Sequence, residues 1–194
     1  MIAHYYKDVP GWAAFAPLYF DVAKTLHDGM VMVEVGSWLG RSAALMGVEI
    51  ANSGKQATLI CVDPWVDGGP DLRDTKHFKN QTKPIIDQFI ENTKPVRQHI
   101  SMLRMTSLEA VSKFNDGSVD FLMLDGDHCY EAVKADIKAW LPKMKPGGLL
   151  TGDDYGWPGV NRAAHEAFGD RVNATWVKHH KNYLLGKSYW MVRV

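Results

Sequence analysis

Carboxylates dominate the chemistry this chain can do. Asp125, Asp127, Asp153 and Asp154 follow two short apolar runs, 119–125 (VDFLMLD) and 148–151 (GLLT). If those runs are neighbouring strands, four acids converge at their ends. Two carboxylates about 4 Å apart repel by roughly 4 kcal/mol at an effective dielectric near 20, so the cluster must hold protons, with raised pKa values, or hold a cation. Oxygen ligands without a Cys/His cage favour a hard ion, Mg²⁺ first, then Mn²⁺ or Ca²⁺. Such an ion would bind neighbouring oxygens of a small molecule and acidify one of its hydroxyls. Asp127 is then the first candidate for proton acceptor and His128 the second, both lying beside the acids. Blander roles compete: Asp127 as the N-cap of a helix starting at Tyr130, Asp153-Asp154 as a solvated turn before Tyr155-Gly156, and His128 as a hydrogen-bonded bystander.

A second constellation lies earlier in the chain. The first apolar run ends Glu34-Val-Gly36-Ser37-Trp38-Leu-Gly40-Arg41-Ser42. Gly36 and Gly40 would allow a sharp turn and a close ligand approach, and the helix that follows offers free N–H groups. A dinucleotide fingerprint, G-x-G-x-x-G, would need glycine where Trp38 and Arg41 stand, so a pyrophosphate cradle is disfavoured. Asp63 ends the next run, where a carboxylate accepts from both hydroxyls of a ribose. Together they point to a nucleoside without strong phosphate recognition; the alternative is a tight turn and a capping acid.

These residues must be positioned by alternating elements. Apolar runs at 30–36, 57–63, 99–103, 119–125 and 148–151 alternate with helix-period segments at 42–51, 83–92, 107–114, 130–141 and 160–168. That is the pattern of a parallel sheet covered on both faces. In the fourth helix Val133, Ile137, Trp140 and Leu141 form one apolar stripe, and in the fifth Val160, Ala163, Ala164 and Ala167 do. Runs 172–177 and 188–194 have no helix between them and must pair antiparallel. The expected fold is α/β: a single-domain, doubly wound, Rossmann-like sheet of seven mostly parallel strands with a C-terminal antiparallel hairpin. Residues 1–194 read as one domain, a cap segment 1–29 and a core 30–194.

Glu34-Val-Gly-Ser-Trp-Leu-Gly40, Asp63, Leu141-Pro-Lys-Met-Lys-Pro-Gly-Gly148 and the final hairpin resemble, in order and spacing, the class I S-adenosylmethionine (SAM)-dependent methyltransferases. The resemblance runs over about 30–194. Leu124-Asp-Gly-Asp-His-Cys-Tyr-Glu131 with Gly152-Asp-Asp-Tyr155 resembles a narrower group within it, the small-molecule enzymes related to macrolide-sugar O-methyltransferases and cephalosporin-hydroxylase-like proteins. That likeness implies SAM as cofactor, contacted by Glu34, Gly36, Ser37, Gly40, Asp63, Ser107 and Asp125, with Met105-Thr106-Ser107 near adenine. It also implies a divalent metal on Asp125, Asp153 and Asp154, and O-methylation of a sugar or natural-product hydroxyl. A helix N-cap explains Ser107 equally well. The alternatives are a SAM-binding module or subunit without chemistry and, less favoured, a nicotinamide-dependent dehydrogenase.

Composition narrows the partners. The chain has 194 residues, with 22 Lys+Arg against 22 Asp+Glu. It therefore lacks the basic footprint of a nucleic-acid or anionic-membrane binder, and the N/D-P-P-Y/F motif of some nucleic-acid methylases is absent. Cys61 and Cys129 form no CxxC pair, which fits a reducing cytoplasm. No signal sequence or apolar span of about 18 residues is read. A homo-oligomer stays open. The loop from Pro64 to about Pro84 is long enough for a lid or substrate wall, with Trp65, His77, Phe78, Tyr155 and Trp157 as candidate apolar walls; His179 and His180 read as surface residues.

Overall fold

Runs apolar on both sides of the pleat need cover on both faces, and the computed structural model, which describes residues 1–67, 83–176 and 188–194, provides it. Strands β1 (Val31–Val35), β2 (Thr58–Asp63), β3 (Ile100–Arg104), β4 (Val119–Leu124), β5 (Met144–Gly152), β6 (Asn173–Trp176) and β7 (Ser188–Arg193) form one sheet, ordered β3-β2-β1-β4-β5-β7-β6. The first five are parallel, and β7 runs antiparallel to both β5 and β6. The expected architecture is the observed one. His77, Phe78, His179 and His180, Val177 at the end of the sixth run and most of the long loop lie outside the described residues.

Alternate strand residues feed two cores. Met32, Leu59, Cys61, Phe121 and Met123 pack with α1 (Ala16–Ala23), α2 (Arg41–Ser53) and α3 (Ile85–Thr93) on one face. On the other face Val33, Val35, Val62, Leu122 and Leu124 pack with α4 (Ser107–Ala110), α5 (Tyr130–Trp140) and α6 (Pro158–Phe168). The side-chain period of two in a strand is what sorts them.

Three details depart from expectation. Leu141 leaves the α5 stripe for a 3₁₀ turn and is exposed, and its place in the buried set goes to Asp136. Phe168, not Ala167, completes the buried face of α6. The run expected at 148–151 is longer, β5 starting at Met144 and taking in Pro146-Gly147-Gly148: Val119 pairs with Met144 and Phe121 with Leu149, so the intervening residues bulge out of register.

A candidate active site at the strand ends

The order of the sheet puts the carboxyl ends of β2, β1, β4 and β5 side by side, the place where open α/β sheets take ligands. Each end carries one of the residues singled out above.

After β1 the chain turns through left-handed backbone at Gly36, Trp38 and Gly40. Gly36 is needed for close approach to protein, not only to ligand: a Cβ there would stand 1.9 Å from the carbonyl oxygen of Asp125. Gly40, at the N-cap of α2, is pressed by Phe89 and Thr93. Asp63 organises this loop from the next strand. Its Oδ2 accepts from Trp38 N–H at 2.9 Å and its Oδ1 from Trp65 N–H at 2.6 Å. Burial raises its pKa, and these backbone donors, with that of Ser37, oppose the rise. Trp65 is buried, donates from its indole to Trp38 O at 2.8 Å and packs on Phe89, so it belongs to the core and not to a substrate wall.

Glu34, the penultimate residue of β1, is wholly buried, and burial lifts it to about 7 against hydroxyls that favour its charge. Ser37 is buried in the loop beside it. Ser107 stands apart: Thr106 is the N-cap of α4, in a capping box with Glu109, while Ser107 Oγ accepts from the Trp140 indole at 2.9 Å. The capping alternative for Ser107 therefore falls one residue out.

Across β4 and β5, Leu124 pairs with Gly152, so Asp125 and Asp153 leave adjacent strands at the same level. The structure gathers ligand atoms of Asp125, His128 and Asp154 within 4.8 Å of one another. His128 Nε2 lies 2.8 Å from Asp154 Oδ2 and 3.7 Å from Asp125 Oδ1. Asp154 reaches this point from left-handed backbone, φ 53°, and Trp157 N–H closes the turn on its carbonyl. Asp153 is buried outside that group, lining a cavity of about 10 Å³ with Asp127, His128, Asp136 and Trp190; its Oδ1 has no hydrogen-bond partner. The cavity has room for about one water.

The electrostatics of so many acids are visible in their proton affinities. Burial, with Asp125 and Asp154 nearby, drives Asp153 up to about 9. Asp125 rises to about 6, mainly by burial and despite His128. Burial works against the charge on His128, but its two carboxylate neighbours win and lift it to about 10. Its imidazolium thus supplies positive charge that the acids require. Asp127 is exposed and accepts the N–H of Cys129 at 2.8 Å; Cys129, not Asp127, is the N-cap of α5. Trp157, 45% exposed, stacks on His128 with centroids 5.4 Å apart, whereas Tyr155 is buried with its hydroxyl 2.6 Å from His165 Nε2. Of the candidate aromatic walls among the described residues, Trp157 is the one that borders the acid cluster and reaches solvent.

Comparison with known proteins bears on this arrangement. The profile of a family described as a methyltransferase domain matches residues 33–155, from within β1 to just past the acid pair after β5. Uncharacterized protein y4gI of Sinorhizobium fredii is 25% identical over 147 residues, 76% of this chain and 15% of that protein. Uncharacterized protein R132 of Acanthamoeba polyphaga mimivirus is 28% identical over 146 residues, 71% of this chain and 59% of that protein. The chain thus spans less than two thirds of the length of either relative. The O-methyltransferase TomG from Streptomyces achromogenes, involved in tomaymycin synthesis and solved in complex with SAM, has a TM-score of 0.61 at 15% identity, over 96% of this chain and 82% of that one. At that identity the likeness is one of fold.

Proposed function

The chain belongs to the methyltransferase-domain family, and from that premise we propose that it transfers a methyl group from SAM to a hydroxyl of a small molecule, a sugar or natural product, with a divalent cation, Mg²⁺ first. The observation that carries the reading is the extent of the family match, 33–155: it takes in the glycine loop, Asp63, Asp125 and the Asp153-Asp154 pair, which the sheet order brings to adjacent strand ends.

The residues fit both groups. Asp63 accepts one backbone N–H at each oxygen, and a carboxylate oxygen has a second lone pair for a ribose hydroxyl. Glu34, Gly36, Ser37, Gly40 and Asp125 surround the same loop, and Ser107, engaged with Trp140, is the outlying member of the proposed cofactor set. For the metal, Asp125 and Asp154 offer hard oxygen ligands at one point, while Asp153, the third proposed ligand, lines the adjoining cavity with its buried Oδ1 unpartnered and would complete the set by turning toward them. A bound divalent ion would supply charge that acidifies the acceptor hydroxyl. Asp125 and Asp154 favour the protonated form of His128, so Asp127 remains the first candidate for general base and His128 the second. Most of the acceleration in this reading comes from alignment of hydroxyl and methyl group.

We take residues 1–194 to act as one catalytic unit with 1–29 as its cap, acting on a small molecule and not on nucleic acid. A reducing cytoplasm suits the two free cysteines, and no described helix is long and apolar enough to cross a membrane. Isothermal calorimetry with S-adenosylhomocysteine tests the cofactor: micromolar binding that Asp63→Ala abolishes is expected, and no binding by the intact protein sinks the assignment. Methylation of a hydroxylated metabolite library, with and without chelator and with Asp154→Ala, tests the rest. Binding without any turnover would favour a non-catalytic SAM module, and turnover that survives both treatments would make the acids structural.

A further inference from the structure

Glu34 is an acid placed where acids are expensive. Its strand neighbours Cys61 and Met123, like Met32, belong to the apolar cluster beneath α1 and α2, and a carboxylate there needs donors. One donor comes from outside the sheet: the hydroxyl of Tyr19 in α1, itself wholly buried, donates to Glu34 Oε2 at 2.6 Å. The other oxygen, Oε1, is buried without a hydrogen-bond partner, although the hydroxyls of Ser37 and Ser42 lie near enough to favour the charged form. The segment that carries Tyr19 is fastened to the glycine loop and the start of α2 twice more. Arg41 Nη1 donates to Gly11 O at 2.8 Å, and Trp12 stacks on Trp38 with centroids 5.0 Å apart and planes at 16°.

We infer that Tyr19 is a positioning residue of the cofactor site, holding the Glu34 carboxyl group through Oε2 while Oε1 is left to accept from the cofactor. The inference rests on the proposed role of Glu34 as a SAM contact and adds to it a dependence on α1, which bears no family glycine or acid motif.

The physical chain is short. Glu34 sits at about 7, raised by burial, so near neutral pH it is close to half ionised. The titratable groups facing it are Tyr19 from α1, Cys61 from β2 and Asp125 beyond β4. Burial raises Tyr19 and Cys61 well above their ordinary values and keeps them neutral, which leaves Asp125 as the neighbouring acid. A ligand with a positive group, the α-ammonium of S-adenosylhomocysteine, draws Glu34 to its charged form, and by linkage protonation of Glu34 weakens the ligand. Removing the Tyr19 donor favours the neutral acid, and each unit of upward shift is a factor of ten.

Calorimetry with S-adenosylhomocysteine on the full chain between pH 6 and 9 tests this with Tyr19→Phe, Glu34→Gln and the double variant. Tyr19→Phe keeps the buried ring. It is expected to bind about tenfold more weakly at pH 7 and to approach the unmodified protein at pH 9, and to have no further effect when Glu34 is already Gln. Glu34→Gln should lose the inflection near pH 7 by itself, whatever becomes of the Phe variant. Identical binding by Tyr19→Phe at every pH, or an equal loss at every pH that adds to Glu34→Gln, would overturn the inference. If the unmodified protein does not bind S-adenosylhomocysteine, the cofactor reading itself fails and takes this role with it.

Discussion

Gly36→Ala separates two reasons for a glycine in the loop after β1. If Gly36 served only to let a ligand approach, the variant would lose affinity and keep its stability. The structure says otherwise, because a Cβ at Gly36 would lie 1.9 Å from Asp125 O and 2.5 Å from its carbonyl carbon, both backbone atoms of the neighbouring strand end. Relief requires β1 and β4 to part where Asp125 N–H donates to Val35 O at 2.9 Å. The φ of +88° costs an alanine about 1 kcal/mol, overpacking costs about 1–3 kcal/mol, and the weakened hydrogen bond costs about 1 kcal/mol. The total is about 3–5 kcal/mol, a large share of the stability of a typical domain at about 5–15 kcal/mol. Gly29→Ala is the control: its φ is +79° but nothing lies within 4 Å, so about 1 kcal/mol is expected. Gly40→Ala should fall between, at about 2 kcal/mol, since it meets side-chain atoms of Phe89 and Thr93 at 2.9 Å that can shift. Urea unfolding without cofactor, followed by tryptophan fluorescence, measures all three. A Gly36→Ala penalty no larger than that of Gly29→Ala would refute the packing argument.

The acid cluster gives the protein a pH signature. His128 is lifted from 6.5 to about 10 and Asp153 from 3.8 to about 9, so the folded chain holds both protons more tightly than the unfolded one. Stability from His128 is full below about 6.5 and is lost as pH rises through about 10, and that from Asp153 is full below about 4 and lost through about 9. Thermal melts in chelator should therefore show Tm falling from pH 7 to 10, with Mg²⁺ restoring most at the alkaline end; a flat or rising Tm would contradict the assignment. Trp157→Ala should raise the acceptor KM about tenfold, leave S-adenosylhomocysteine affinity unchanged and be largely rescued by Phe, because what the acceptor loses is a stacking face beside His128. A change in cofactor affinity instead would place Trp157 in the wrong half of the site.

How much of this was legible beforehand follows the range of the forces involved. Runs such as VMVEV and VDFLML announce strands buried on both faces, and helix-period segments between them announce parallel crossovers, because both patterns are local. That Asp63, Asp125 and Asp153 would stand at the ends of their strands was equally local. Caps were less legible: Asp127 and Ser107 each miss the N-cap they resembled, and Cys129 and Thr106 take it, since a shift of one or two residues leaves composition unchanged and alters only backbone angles.

The grouping of the site could not be read in this way. Consecutive residues leaving a strand point to opposite sides, and a left-handed turn at Asp154 swings it toward Asp125 while Asp153 goes into the buried cavity. His128 therefore shares the ion cluster, a role for which one histidine after D-G-D carries no distinctive signal. The bond from Tyr19 to Glu34 depends on how α1 docks, and the need for glycine at Gly36 depends on the backbone of a strand more than eighty residues on. Sequence by itself determined which elements form and the acids at their ends, because hydrophobic period acts along the chain. Only tertiary structure decided which of those acids stand together with His128, because electrostatic and steric coupling act over a few ångströms of space between segments whose separation along the chain says nothing about their distance.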